Sequence, residues 1–98
     1  MSAVVVTRDL MDGSRFRAAL PDVVVVRSLA GPELVGATLI LLDLATGLDP
    51  ADVVALGPPV VAYGAHVDTD ALRAALAAGC VDALPRSKVF RRAAELLS

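Results

Sequence analysis

Asp43 is the residue of this sequence that most clearly invites a chemical interpretation. It directly follows the apolar run Leu-Ile-Leu-Leu at 39–42, and a loop-like segment, 44–49, comes after it. An aspartate at the end of a buried strand can be a nucleophile, a metal ligand or half of an ion pair, whereas one in an open loop is merely solvated. The elements that position Asp43 therefore decide which chemistry is available to it.

Short apolar runs recur along the chain and alternate with stretches of helical pattern. The runs 3–6, 23–26, 39–42 and 60–63 are continuous, and a weaker run, 81–84, is interrupted by Asp82. Continuous runs are typical of parallel strands that are covered on both faces. The helical patterns, of which the second and third are short, occupy 11–20, 31–37, 49–57, 68–79 and 87–97.

These elements predict a flavodoxin-like α/β sandwich of three layers, with a five-stranded parallel sheet in the order 2-1-3-4-5 and shortened middle helices. The 98 residues suit a single domain over 1–98. In such a sheet, ligands bind beyond the carboxyl ends of the strands, at the switch point between the first and third strands. The residues expected around this crevice, besides Asp43, are Thr7, Arg8, Asp9, Gly64, His66 and Arg86.

Composition excludes several classes of function. The net charge of −2 gives no general attraction to nucleic acid or to anionic membranes. No apolar run approaches the roughly 20 residues that span a bilayer, and no signal peptide is evident. Cys80 is the single cysteine, so an internal disulfide is impossible. We therefore expect a cytoplasmic protein that binds neither nucleic acid nor membrane.

The order of the elements resembles that of the CheY-like receiver domain of bacterial response regulators. The residues that carry the resemblance are Leu-Leu-Asp-Leu-Ala-Thr-Gly-Leu-Asp at 41–49 and Ala-Gly-Cys-Val-Asp-Ala-Leu-Pro-Arg-Ser at 78–87. The resemblance implies that Asp43 occupies the position of the aspartate that accepts a phosphoryl group. It also implies that Arg86 stands where these domains carry a lysine.

Other positions depart from the receiver pattern. The two acids that hold Mg²⁺ in receivers match Thr7 and Arg8, or Arg8 and Asp9, so at best one acid is present. The hydroxyl residue that ends the fourth strand matches Gly64, and the aromatic of the fifth strand matches Ala83. The departures resemble those of pseudo-receivers, which signal by binding. We accordingly expect no catalytic residue, no resident cofactor and no metal site, with Arg8 arguing against Mg²⁺.

Three environments for Asp43 remain open on the sequence alone. Arg8 and Arg86 would flank it from neighbouring strand ends, so the first is a buried ion pair in which guanidinium groups replace the metal and the lysine. The second is a phosphorylatable carboxylate with a degraded but working site. The third is a solvent-exposed loop acid.

The function that fits best is a receiver-like signalling or scaffolding module, not an enzyme, that works through contacts with a kinase, an effector or a second copy of itself. Its expected partner surface is the basic face of the last helix, Lys88, Arg91 and Arg92, because acids dominate residues 33–70. One alternative is a response regulator phosphorylated on Asp43. Another is a small anion- or nucleotide-binding subunit that holds its ligand with Arg8, His66 and Arg86.

Overall fold

Five strands alternate with four α-helices in the computed structural model, which describes residues 3–96 apart from the side chains at 93, 94 and 96. Single turns of 3-10 helix lie at Pro32–Leu34 and Leu44–Thr46. The strands are β1 (Ala3–Val6), β2 (Val24–Val26), β3 (Leu39–Asp43), β4 (Val60–Gly64) and β5 (Asp82–Pro85). The helices are α1 (Leu10–Ala19), α2 (Pro50–Val54), α3 (Thr69–Ala77) and α4 (Arg86–Leu96).

All strand pairs in the sheet are parallel, and their order is β2-β1-β3-β4-β5. The predicted flavodoxin-like architecture and the predicted strand order are therefore confirmed. Asp43 is the last residue of β3 and lies beside Tyr63 of β4 in the register. Thr7 extends the ladder past β1, because its backbone N–H donates to the carbonyl of Val26 at 3.0 Å.

Two apolar cores lie on opposite faces of the sheet. Side chains alternate along each strand, so Val5 and Leu41 face one core while Val4 and Ile40 face the other. Helices α1 and α4 cover the first face, and α2, α3 and the turn at Pro32–Leu34 cover the second. Because both faces are covered, the central strands are apolar throughout, as a buried parallel sheet requires.

The boundaries of three helical patterns differ from the sequence prediction. The pattern at 31–37 forms only the single turn Pro32–Leu34, and α2 ends at Val54 rather than 57. Helix α4 begins at Arg86, one residue before the predicted start at 87. Its predicted end at 97 lies outside the described residues.

Residues that favour helix ends lie at both ends of α3. The Asp68 carboxylate accepts from the N–H of Ala71 at the start of α3. Gly79 follows the end of α3 with φ of 110°, a left-handed conformation that favours glycine. A side chain there would also crowd Val54 on the neighbouring helix, because a Cβ atom would lie 3.1 Å from its Cγ1.

An aromatic cluster ties α1 and α4 to the sheet. The ring of Phe16 lies 5.5 Å from that of Tyr63 and 4.6 Å from that of Phe90, measured between centroids. Both Phe16 and Tyr63 are fully buried. Tilted ring pairs at these distances add to the stabilisation from apolar burial. No helix within residues 3–96 is both long enough and apolar enough to cross a membrane.

We predict that Phe16→Ala lowers the free energy of unfolding by about 3 to 5 kcal/mol, because it removes a buried ring and leaves a cavity. Urea unfolding followed by circular dichroism measures the change. Met11→Ala on the same helix is the matched control, since Met11 is 76% exposed and its loss should cost at most about 0.5 kcal/mol. Equal losses in the two variants would contradict the assignment of Phe16 to the core.

Candidate functional site

The Asp43 carboxylate is buried, with the residue only 2% exposed. Its Oδ2 accepts a hydrogen bond from the Thr7 hydroxyl at 2.7 Å, and its Oδ1 accepts from the N–H of Ala45 at 2.9 Å. The second bond caps the 3-10 turn Leu44–Thr46. The interpretation of Asp43 as a solvent-exposed loop acid is therefore wrong.

Arg86 lies between Asp43 and a second buried carboxylate. Its Nη2 is 3.6 Å from Oδ1 of Asp43, and its Nη1 pairs with Oδ2 of Asp12. The guanidinium also lies over the ring of Tyr63, 5.3 Å from the centroid. Arg86 is the first residue of α4 and immediately follows β5, so the fifth strand and its helix together deliver the cation to this cluster.

Asp12 is the member of the site that the sequence analysis missed. It lies in the first turn of α1 and is 4% exposed, and its Oδ2 accepts from the Tyr63 hydroxyl at 3.2 Å. An acid in this turn is also explained by the helix dipole, so its type alone gave no signal. Its spacing from Phe16 does give a signal, because Phe16 follows four residues later and residues four apart share one helix face.

The cluster of Asp12, Asp43 and Arg86 holds two carboxylates and one guanidinium. The Tyr63 hydroxyl assists by donating to Asp12. Burial raises the pKa of Tyr63 above its ordinary value, and the charges of Asp43 and Asp9 act in the same direction. The phenol therefore stays protonated and remains a donor at neutral pH. Each carboxylate is stabilised by direct partners, as buried charges require.

The expected pairing of Arg8 with Asp43 is wrong. Arg8 instead donates from Nε to the carbonyl of Arg27 at 3.3 Å and from Nη1 to the carbonyl of Thr46 at 3.2 Å. Thr7 has the same strand parity as Val5, whose side chain faces α1 and α4, so it is Thr7 that reaches Asp43. Asp9 caps α1, with its Oδ1 accepting from the N–H groups of Met11 and Asp12.

The remaining crevice residues stand apart from the charged cluster. Gly64 ends β4 and is covered by Leu44, since a Cβ added at Gly64 would lie 3.4 Å from Cδ1 of Leu44. His66 is exposed in the turn after β4. The trio Arg8, His66 and Arg86, expected to hold an anion, is thus not assembled: Arg8 bonds backbone carbonyls and Arg86 bonds carboxylates.

No group of three or more histidine, cysteine, aspartate or glutamate side chains that could hold a metal ion occurs within residues 3–96. Cys80 is buried, and burial raises the pKa of its thiol. A buried thiol of raised pKa is a poor nucleophile.

The basic face of α4 is exposed at Lys88, Arg91 and Arg92. Arg92 lies 3.9 Å from Oδ2 of Asp82 and 3.8 Å from Oε2 of Glu95. Lys88 and Arg91 form no ion pair with the described residues. Their charges therefore face outward without a carboxylate partner in the described part of the chain.

Comparison with solved structures finds a response regulator from Thermotoga maritima with the same fold. The match covers 98% of this chain and 92% of that chain, with a TM-score of 0.71 and 17% sequence identity. The chain has a response-regulator-like receiver fold. No family model matches the sequence, and no curated protein matches it. At this identity the likeness establishes the fold, and the role of Asp43 has to be argued from its own contacts.

We predict that Arg86→Met lowers the free energy of unfolding by about 2 to 4 kcal/mol, because it leaves two buried carboxylates without a counter-charge. Adding Asp12→Asn should recover part of the loss, since one of the two unpaired charges is removed. Chemical denaturation of the single and double variants measures both effects.

Arg92→Met is the matched control for Arg86→Met. The side chains of Arg92 and its partner Asp82 are 46% and 42% exposed. Removing this exposed ion pair should lower the free energy of unfolding by about 0 to 1 kcal/mol. A loss at Arg86 as small as that at Arg92 would show that the buried cluster does not depend on the guanidinium.

Proposed function

We propose that this protein is a receiver-like signalling or scaffolding module that acts through protein contacts, without conventional phosphorylation of Asp43. The observation that carries the proposal is the state of the Asp43 carboxylate. It is 2% exposed, its two oxygens accept hydrogen bonds from Thr7 and Ala45, and Arg86 pairs with it. A carboxylate engaged in this way acts as a structural anion.

Phosphoryl transfer to a carboxylate needs a cation that neutralises the negative oxygens, and Mg²⁺ usually supplies it. Mg²⁺ takes oxygen ligands and demands near-octahedral geometry. Here the guanidinium of Arg86 already bridges Asp12 and Asp43. The receiver positions for metal-binding acids match Thr7 and Arg8, or Arg8 and Asp9, so at best one acid is present. The residues present therefore do not fit a magnesium site of the receiver type.

The residues around Asp43 also lack the groups that respond to a phosphoryl group in receivers. Leu44 covers Gly64, where a receiver has a hydroxyl that contacts the phosphoryl group. Tyr63 is fully buried among Phe16 and Phe90 and is bonded to Asp12. Ala83 stands where a receiver has the aromatic of its fifth strand. Without that aromatic and the hydroxyl, a phosphoryl group would lack the usual means of moving the surface, which supports signalling by binding.

The exposed face of α4 supports protein contact as the mode of action. Lys88, Arg91 and Arg92 lie outward on it, while residues 33–70 carry acids and no lysine or arginine. Faces of opposite charge favour association between two copies or with a charged partner such as a kinase or effector. We propose a self-association of this kind as the simplest contact.

We predict that incubation with Mg²⁺ and acetyl phosphate leaves the intact mass of the protein unchanged. The reason is that the Asp43 carboxylate is buried and already paired with Arg86, and that at best one of the two metal-binding acids of a receiver is present. Mass spectrometry under non-hydrolysing conditions measures the outcome, with a conventional receiver domain treated in parallel as the positive control.

A gain of one phosphoryl group that disappears in Asp43→Asn would overturn the proposal and favour a response regulator phosphorylated on Asp43. A gain that persists in Asp43→Asn would assign the phosphoryl group to another residue and leave Asp43 as a structural anion.

We further predict that the protein self-associates at low salt and that Arg91→Glu/Arg92→Glu weakens the association by about tenfold or more, because charge complementarity is reversed. Sedimentation velocity at about 0.05 and 0.5 M salt measures it, since screening weakens contacts between exposed charges. Arg73→Glu on α3 is the control, because it reverses an exposed charge away from α4. A monomer at every concentration and salt would exclude the homodimer, and equal weakening by Arg73→Glu would exclude α4 as the contact.

A further inference from the structure

A cavity of about 140 Å³ lies where the ends of β1 and β2 meet α1. Three arginines line it: Arg8 after β1, Arg17 in the last turn of α1 and Arg27 after β2. They come from separate segments of the chain, so only the fold brings them together. Arg17 and Arg27 were not among the candidate residues of the sequence analysis.

The positive charge of this cavity is not balanced within the described part of the chain. Arg17 and Arg27 form no ion pair with residues 3–96, and Arg8 donates to two backbone carbonyls, which orient its guanidinium without neutralising it. Among the lining residues, the acid is Asp9. Three guanidinium groups against one carboxylate leave an excess of two positive charges, in a protein whose net charge is −2.

The cavity is also kept open by a residue without a side chain. Gly13 lines it, and a Cβ added there would lie 3.4 Å from Cγ1 of Val25 and 3.8 Å from Nη1 of Arg17. Leu10, 80% exposed, and half-buried Val25 supply apolar walls beside the arginines. The cavity thus offers a small positive space with an apolar margin.

We propose that this cavity binds a phosphate monoester. A phosphate monoester carries a charge of about −1.5 to −2 at neutral pH, which matches the excess of positive charge. Guanidinium groups bond phosphate oxygens in parallel pairs, a geometry that favours phosphate over spherical anions such as chloride. The apolar margin favours an organic group on the ester over inorganic phosphate.

The arginines, and not the N–H groups at the start of α1, would bind the phosphate. The Asp9 carboxylate already accepts from the N–H groups of Met11 and Asp12, which a bound anion would otherwise use. The proposal is also independent of any role of Asp43, which does not line the cavity. A failure of either proposal would leave the other untouched.

Phenyl phosphate is the probe that tests the proposal, because it joins a phosphate monoester to an apolar ring. Isothermal titration calorimetry at low ionic strength should detect its binding. Amide shifts in NMR spectra should map it to Gly13, Val25 and Arg27. Inorganic phosphate, which lacks the apolar ring, should bind at least about tenfold more weakly than phenyl phosphate. Phenol should not bind, because it lacks the charge that the arginines recognise.

Two variants locate the site. Arg17→Gln/Arg27→Gln should lower the affinity for phenyl phosphate by about tenfold or more, which corresponds to the loss of one or two charge-assisted contacts. Gly13→Ala should weaken it by filling the cavity, while alanine suits a helix better than glycine and preserves the fold. The charge-matched control, Arg15→Gln/Arg73→Gln, removes two exposed arginines outside the cavity and should bind phenyl phosphate like the wild type.

Three results would overturn the proposal. The first is no heat and no amide shifts with millimolar phenyl phosphate. The second is equal weakening by the control and by Arg17→Gln/Arg27→Gln, which would indicate general charge attraction. The third is an amide map centred on the basic face of α4, which would place the anion at another surface.

Discussion

The arrangement of this protein around Asp43 depends on one cation, the guanidinium of Arg86. It joins a carboxylate of α1, Asp12, to a carboxylate of β3, Asp43, at the start of α4. Without it, two buried negative charges would face each other across the junction of helix and sheet, and no apolar contact nearby could compensate. The rings of Phe16, Tyr63 and Phe90 also contact one another, so polar and apolar contacts together hold α1 and α4 on the sheet.

A guanidinium differs from a metal ion in what it permits. A metal exchanges its ligands and can accept an incoming phosphate oxygen, whereas Arg86 is covalently part of the chain and its position is fixed by α4 and by the ring of Tyr63. The cation that pairs with Asp43 here is a residue of the chain itself, so the same contact also joins α4 to the end of β3.

The sequence predicted the sheet well and the site in part, for a physical reason. Apolar runs report burial directly, so the strands, their order and the position of Asp43 at the end of β3 followed from them. Of the partners of Asp43, Arg86 was expected and lies beside it, whereas Thr7 was not, because Arg8 was placed there from its position at the strand end alone. Strand alternation would have placed Thr7, and not Arg8, beside Asp43. Asp12 could be found only from the face that it shares with Phe16, since its side-chain contacts come from two other elements, β4 and α4.

Thr7 connects the buried cluster to the arginine-lined cavity. Its hydroxyl donates to Oδ2 of Asp43 and accepts from the backbone N–H of Asp9, and Thr7 and Asp9 both line the cavity. The Thr7 side chain therefore links the cavity directly to the Asp43 carboxylate by hydrogen bonds. The short segment after β1, which in a receiver supplies acids for a metal, here contributes a hydroxyl to one site and a guanidinium to the other. The segment thus divides its side chains between the paired Asp43 carboxylate and the arginines that line the cavity.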